Sequence, residues 1–118
     1  MLIEALARSG AAAASLRRAI EGGDRILLST LVLYEWLRGP RQRQELIDQE
    51  SLFPRESAVP FGAADAALAA ELYRKVKSPR GRDIDLAIAA CAMTNGALLW
   101  TLNVNDFADI PGLQLFRG

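Results

Sequence analysis

The chain has 118 residues, of which 51% are apolar and 24% charged, a balance typical of a single globular domain and unlike that of a disordered chain. Its formal net charge is zero, so no overall positive field attracts nucleic acid, and any such role depends on local patches. The absence of histidine excludes Ser-His-Asp and Cys-His catalysis and imidazole zinc sites, while oxygen-bound metals remain possible. We expect one domain over residues 1–118.

The single cysteine, Cys91, excludes an intramolecular disulfide framework and is typical of a reducing compartment. Its neighbours are mostly alanines, which predicts a buried structural thiol. Glu4 and Arg8 interrupt the apolar N-terminal run, so it is not expected to be a signal peptide. No stretch reaches the roughly 18 uninterrupted apolar residues of a membrane span. We therefore expect a cytoplasmic protein without membrane contact.

The first part of the chain predicts two helices and then a strand. Leu2, Ile3 and Leu6 follow a helical repeat, which predicts a helix from nearly the first residue. A second helix is predicted over 11–23, where a Gly-Gly pair ends it. The consecutive apolar residues within 24–29 predict a short buried strand of the parallel type.

The middle of the chain predicts two helices, the second exposed and amphipathic, followed by an edge strand. Ser29 or Thr30 can cap the first helix. In the second, the apolar face consists of Leu46, Ile47 and Phe53. Proline in the following strand restricts it to a sheet edge. The predicted bounds are 31–40, 41–53 and 57–61.

The last part of the chain alternates helices and short strands. An alanine-rich helix and a loop precede an apolar helix that starts with Asp83 and Asp85 and stops at Asn95 and Gly96. A buried strand, a polar loop and a short final strand follow. The predicted bounds are 62–77, 78–82, 83–96, 97–102, 103–112 and 113–116.

Helices that alternate with short apolar strands predict an α/β domain with a parallel sheet covered on both faces. In such sheets ligands bind at the carboxyl ends of the strands. Four polar residues are expected at that edge, at helix starts or after strands: Glu35, Asp85, Asn103 and Asp106. Converging carboxylates repel one another unless a cation neutralises them, and Mg²⁺ or Mn²⁺ prefers such oxygen ligands.

Each acid also has a structural interpretation. Glu35 can pair with Arg38, Asp106 can be a turn residue, and Asp83 or Asp85 can cap a helix. Two positions apart on a helix, Asp83 and Asp85 point about 200° apart, so they do not serve one site equally. These interpretations stay open beside the metal-binding one.

Basic residues cluster just before the apolar helix, in Arg74, Lys75, Lys77, Arg80 and Arg82. Arginine forks match phosphate geometry, which favours a nucleic-acid contact. A solvated helix end and loop is the alternative.

Three segments together resemble the PIN-domain ribonucleases, specifically the VapC-type toxins of bacterial toxin–antitoxin pairs. They are "TLVLYEWLRGP", "DIDLAIAACAMTNGALLWTLNVNDF" and "IPGLQLF". The most specific part is Asp followed after two residues by Ile-Ala-Ala, then a Thr-x-Asn-x-x-Asp-Phe turn and Pro-Gly-Leu. The resemblance extends from Leu2 to the end of the chain.

This resemblance implies a three-layer α/β/α domain and a Mg²⁺- or Mn²⁺-dependent endoribonuclease that a cognate antitoxin silences and that forms a homodimer. By position, Glu35 and Asp85 match two metal-binding acids of the family, and a further acidic position falls on Asn103, beside which Asp106 can compensate. Thr101 matches a frequent hydroxyl at the same strand end. Glu35, Asp85, Asn103 and Asp106 are therefore the expected catalytic residues. Metal binding is expected from Glu35, Asp85 and Asp106, and substrate binding from Thr101, Arg80 and Arg82.

The start of the chain departs from the family pattern. Members normally open with a central strand ending in Asp-Thr or Asp-Ser, before the helix that "LIEAL" resembles. We therefore expect this strand and its acid to be absent from the chain, and the natural product to begin upstream. The neighbouring strands would then pair directly or receive another segment, for instance from a second copy.

Two further functions compete with the nuclease. A catalytically impaired PIN-like protein that binds an antitoxin or RNA fits the missing acid and Asn103. A phospho-accepting regulatory domain would need a lysine at the sheet edge, whereas Lys75 and Lys77 lie at a helix end.

Overall fold

A three-stranded parallel sheet lies at the centre of the part of the chain described by the computed structural model, which comprises residues 2–5, 18, 20–101 and 103–116. Its strands are β1 (Leu2–Ala5), β2 (Arg25–Leu27) and β3 (Leu98–Trp100). Their order is β2-β1-β3, so the first strand is central. Ile3 lies in register with Ile26 on one side and with Leu98 on the other. The α/β class with a short parallel sheet is confirmed.

The central strand corrects two expectations from the sequence. Leu2 and Ile3 were predicted to begin a helix, but Leu2–Ala5 forms a central strand. The neighbouring strands therefore do not pair directly, as one alternative had it, but receive another segment, and that segment comes from this chain. It contains no Asp-Thr or Asp-Ser, so the absence of the family's first acid stays a prediction. A run of four residues is too short for its periodicity to separate helix from strand. The two neighbouring strands supply hydrogen-bonding partners on both sides, and this tertiary pairing decides the conformation. Leu6 and the rest of that predicted helix lie outside the described residues.

The predicted glycine stop of the second helix is confirmed. Ile20 and Glu21 are helical, and the Gly22 amide donates to the Arg18 carbonyl at 2.9 Å. Gly23 then has φ +92°, a left-handed conformation that side chains disfavour. Most of that helix lies outside the described residues.

Four further helices follow β2 in the described part of the chain. The first is α1, which begins directly after β2 because the buried Ser29 caps it and accepts a hydrogen bond from the Val32 amide at 3.2 Å. This confirms Ser29 as the cap. The apolar helix ends as predicted, with Asn95 as its C-cap and Gly96 at φ +65°. The helices are α1 (Thr30–Leu37), α2 (Arg43–Leu52), α3 (Ala63–Lys75) and α4 (Asp83–Thr94), with 3₁₀ turns at Arg55–Ser57 and Val104–Asp106.

The predicted strands at 57–61 and 113–116 are reduced to single bridges. Val59 pairs with Ser29, and Leu115 pairs with Leu99. In the first segment Pro60 has no amide to continue a ladder. In the second, the Leu99 amide and carbonyl bond to Gln114 and Phe116 at 2.9 and 2.7 Å, which is one rung of a ladder.

The core forms around α4. Ile88, Ala89, Ala90, Cys91 and Ala92 are fully buried, because this helix packs on the sheet and on α3 at the same time. The expectation of a buried thiol at Cys91 is confirmed. None of the helices in the described ranges is long and apolar enough to cross a lipid bilayer.

Candidate metal site and its surrounding loop

Glu35 is the most buried acid of the candidate site, with 6% of its surface exposed. It lies in the second turn of α1, whose start is fixed at the end of β2 by the Ser29 cap. Arg38 donates to Glu35 Oε2 at 2.9 Å, so the predicted pairing is confirmed. The Arg38 side chain is 53% exposed, which leaves the cation at the surface and the carboxylate inside. A buried carboxylate needs such a counter-charge.

Asp85 is the third residue of α4 and is half-buried. The N-cap of this helix is Arg82, and Asp83 is its first residue, so the interpretation of Asp83 or Asp85 as the cap is wrong. Both acids still lie in the first turn, where the positive end of the helix dipole favours negative charge. Since α1 and α4 pack against each other, the helices that carry Glu35 and Asp85 are direct neighbours.

The end of β3 supplies the remaining polar residues. Thr101 is 7% exposed, and its Oγ1 accepts a hydrogen bond from the Asn103 amide at 3.0 Å. The hydroxyl thus shapes the turn by which the chain leaves the sheet. Asn103 and Asp106 are exposed, and Asp106 closes a 3₁₀ turn, which agrees with its interpretation as a turn residue.

Arg82 is partly buried and is hydrogen-bonded to the loop after β3. Its Nη1 donates to Asp109 Oδ2 at 2.9 Å, and its Nη2 donates to Asp109 Oδ1 at 2.6 Å and to the Asp106 carbonyl at 2.9 Å. The side-chain hydrogen bonds between Arg82 and Asp109 hold the pKa of the Asp109 carboxyl below its usual value and raise the pKa of Arg82. The charges of Asp85 and Asp106 also raise the pKa of Arg82. Arg80 is exposed, which agrees with both interpretations of the basic cluster, a solvated loop and a contact to phosphate.

Sequence reasoning missed Asp109. The residue lies 27 positions from Arg82, and the Ala-Asp-Ile-Pro-Gly context indicates only a turn. The sequence did contain one signal for this ion pair. An arginine stands just before the acidic helix start and an acid follows the Asn-x-x-Asp turn, and both belong to segments that the family resemblance places at the same edge of the sheet.

A metal site of three or more clustered Asp, Glu, Cys or His side chains is absent from the described residues. The oxygen donors of Glu35 and Asp85 nevertheless fit Mg²⁺, which proteins commonly hold through one or two carboxylates together with water and substrate phosphates. The assignment of Glu35, Asp85 and Asp106 as metal ligands stays a prediction.

Comparison with known families matches the PIN domain over residues 1–113. Ribonuclease VapC19 of Mycobacterium tuberculosis is 38% identical to this chain over 109 residues, which cover 88% of this chain and 84% of the relative. The same identity and coverage hold for that protein in strains CDC 1551 / Oshkosh and H37Rv.

Solved structures share the fold along nearly the whole chain. VapBC2 from Rickettsia felis, bound to a DNA fragment from its promoter, has a TM-score of 0.71 at 19% identity and covers 98% of both chains. DNA-bound VapBC from Salmonella typhimurium has a TM-score of 0.69 at 19% identity, covering 98% of this chain and 96% of the other. FitAcB from Neisseria gonorrhoeae has a TM-score of 0.67 at 16% identity, covering 99% and 97%. At such identities the likeness shows the fold alone.

Proposed function

This chain belongs to the PIN-domain family, with VapC-type relatives, and we propose on that basis that it is an endoribonuclease toxin that hydrolyses RNA phosphodiester bonds and is neutralised by a cognate antitoxin. The observation that carries the proposal is the buried Glu35 on a helix that packs directly against the helix of Asp85. Structural neighbours that are VapBC complexes support an antitoxin partner. A homodimer and a cytoplasmic location belong to the same proposal.

Mg²⁺ or Mn²⁺ is the proposed cofactor, held by Glu35 and Asp85. Asp106 stays a third candidate from its position in the sequence, although it does not form a cluster of three acids with them in the described residues. A bound divalent ion supplies Lewis acidity that neutralises the charge of a phosphodiester under attack. The protein orients the donors. Glu35 is fixed by its burial and by Arg38, and Asp85 by the first turn of α4. Thr101 shapes the turn that presents Asn103. Arg80 is the proposed contact to the RNA backbone, and its exposure is compatible with that role.

The test is Mn²⁺-dependent cleavage of a mixed RNA pool by the chain and its Glu35→Gln and Asp85→Asn variants. Both substitutions keep the shape of the side chain and remove its charge, so each should lower cleavage at least about 100-fold if the carboxylates hold the ion. Glu56→Gln is the matched control, because Glu56 is an exposed acid in the 3₁₀ turn 55–57. Equal loss in the control, or no loss in the two site variants, would contradict the assignment.

The second candidate function is a PIN-like protein that binds an antitoxin without cleaving RNA. The observation in its favour is the exposed amide of Asn103 at a position where the family resemblance implies an acid. Melting temperature with and without millimolar Mn²⁺ separates the two, since an ion that binds only the folded chain must stabilise it. A rise that Glu35→Gln abolishes supports the nuclease, and an unchanged melting temperature supports the binding protein.

A further inference from the structure

The loop after β3 is attached to the protein on two sides. Phe107 and Ile110 point into the core, with 2% and 4% of their surface exposed. The residues that precede them, Asp106 and Asp109, are exposed and both contact Arg82. The apolar pair holds the loop onto the domain, and the arginine fixes the orientation of its outer face.

The guanidinium of Arg82 suits this role by its shape. Its planar fork donates two hydrogen bonds to one carboxylate and a third to the Asp106 carbonyl. Lysine cannot reproduce three donors in one plane. Arg82 is also the N-cap of α4, so it links this loop to the turn that carries Asp85. Its side chain is only 20% exposed, in contrast to the exposed Arg80.

We propose that Arg82 is a positioning residue: with Asp109 it holds the outer face of residues 103–110 against the start of α4, so that Asn103 and Asp106 face the Asp85 turn, and it does not bind RNA phosphate. This inference rests on the proposed function for its catalytic consequence. Its structural part stands on the three hydrogen bonds from Arg82.

The first experiment measures the loop without reference to activity. Hydrogen exchange is followed at the amides of Asp106, Phe107 and Ile110, which donate to carbonyls three residues earlier. Arg82→Gln, Arg82→Lys and Asp109→Asn should each speed this exchange about fivefold, because Phe107 and Ile110 still hold the loop while its outer face is released. Arg74→Gln is the matched control, since it removes one exposed positive charge from the same basic stretch. Unchanged exchange in Arg82→Gln, Arg82→Lys and Asp109→Asn would overturn the proposal.

The second experiment separates positioning from phosphate binding. Arg82→Gln and Asp109→Asn should each lower kcat about tenfold with KM nearly unchanged, and the double variant should be no slower than either single one, because both break the same contact. A raised KM in Arg82→Gln, with the KM of Asp109→Asn unchanged or lowered, would show that Arg82 binds RNA and would overturn the proposal.

The failure of the proposed function has a different signature. If the unsubstituted chain is folded but cleaves no RNA, and exchange is still faster in the variants, the proposed nuclease activity and the catalytic consequence of Arg82 are both overturned. If exchange in all variants is as slow as in the unsubstituted chain, only the positioning role of Arg82 is overturned, whatever the activity.

Discussion

Helices α4 and α2 have similar lengths and opposite relations to the core. In α4, the five residues from Ile88 to Ala92 are fully buried. In α2, Leu46 and Ile47 are 38% and 48% exposed, and the helix is held at its start by the Gln42 amide, which donates to Glu45 at 3.0 Å. The first helix is therefore stabilised by packing and the second by local hydrogen bonds. The same substitution should have very different consequences in the two places.

Ile88→Ala should produce the largest effect, a loss of about 3 kcal/mol in the free energy of unfolding. Ile88 is fully buried, so the substitution leaves a cavity in the core. Urea unfolding followed by circular dichroism measures the change. A loss below about 1 kcal/mol would mean that the core around α4 is looser than its burial indicates.

Asp65→Asn tests the polar contact between α3 and α4. The buried Asp65 accepts hydrogen bonds from the Thr94 hydroxyl and from the Gly62 amide, the latter at 2.8 Å. Asparagine has one acceptor oxygen in place of two charged ones, so both hydrogen bonds lose their charge assistance and the one with Thr94 must reverse its direction; we expect a loss of about 1.5 kcal/mol. Thr94→Val removes only the hydroxyl, and the two changes should be non-additive in a double-mutant cycle. Full additivity would show that the two side chains act independently.

Ile47→Ala is the matched counterpart of Ile88→Ala in the exposed helix. The substitution removes the same atoms, but the Ile47 side chain is half-exposed, so the free energy of unfolding should change by less than about 0.5 kcal/mol. Unfolding in urea, beside size-exclusion chromatography, provides the measurement. A loss near that of Ile88→Ala, or a change in oligomeric state, would show that another surface covers α2.

The smallest expected effect lies on the outward side of α3. Lys75 donates to Glu71 at 2.8 Å, and this hydrogen bond lowers the pKa of Glu71 below its ordinary value of 4.5. Because the folded pKa is the lower one, the pair stabilises the fold above pH 4.5 and loses this contribution as pH falls through the folded pKa. An NMR titration of Glu71 should show the low value, and Lys75→Ala should restore the ordinary one. An unchanged titration in Lys75→Ala would contradict the pairing.

Local chemistry in the sequence determined the helix starts and stops that the structure confirms. Ser29 caps α1 because its hydroxyl accepts the orphan Val32 amide, and Asn95 and Gly96 end α4 because a left-handed residue suits that stop. The burial of Cys91 also follows from its alanine-rich surroundings. The PIN-domain resemblance rested on three segments that contain α1, α4 and the loop after β3, and it was confirmed by the family match.

Tertiary structure alone decided the features whose partners lie far away along the chain. Leu2–Ala5 became a strand because β2 and β3 offered partners on both sides, which no local pattern of four residues reveals. Arg82 is hydrogen-bonded to the loop after β3 because Asp109, 27 residues away along the chain, lies within hydrogen-bonding distance. Short-range hydrogen bonds join residues that are neighbours in the sequence, so local patterns predict them. Strand pairing and long-range ion pairs join distant segments and depend on how the whole chain folds back.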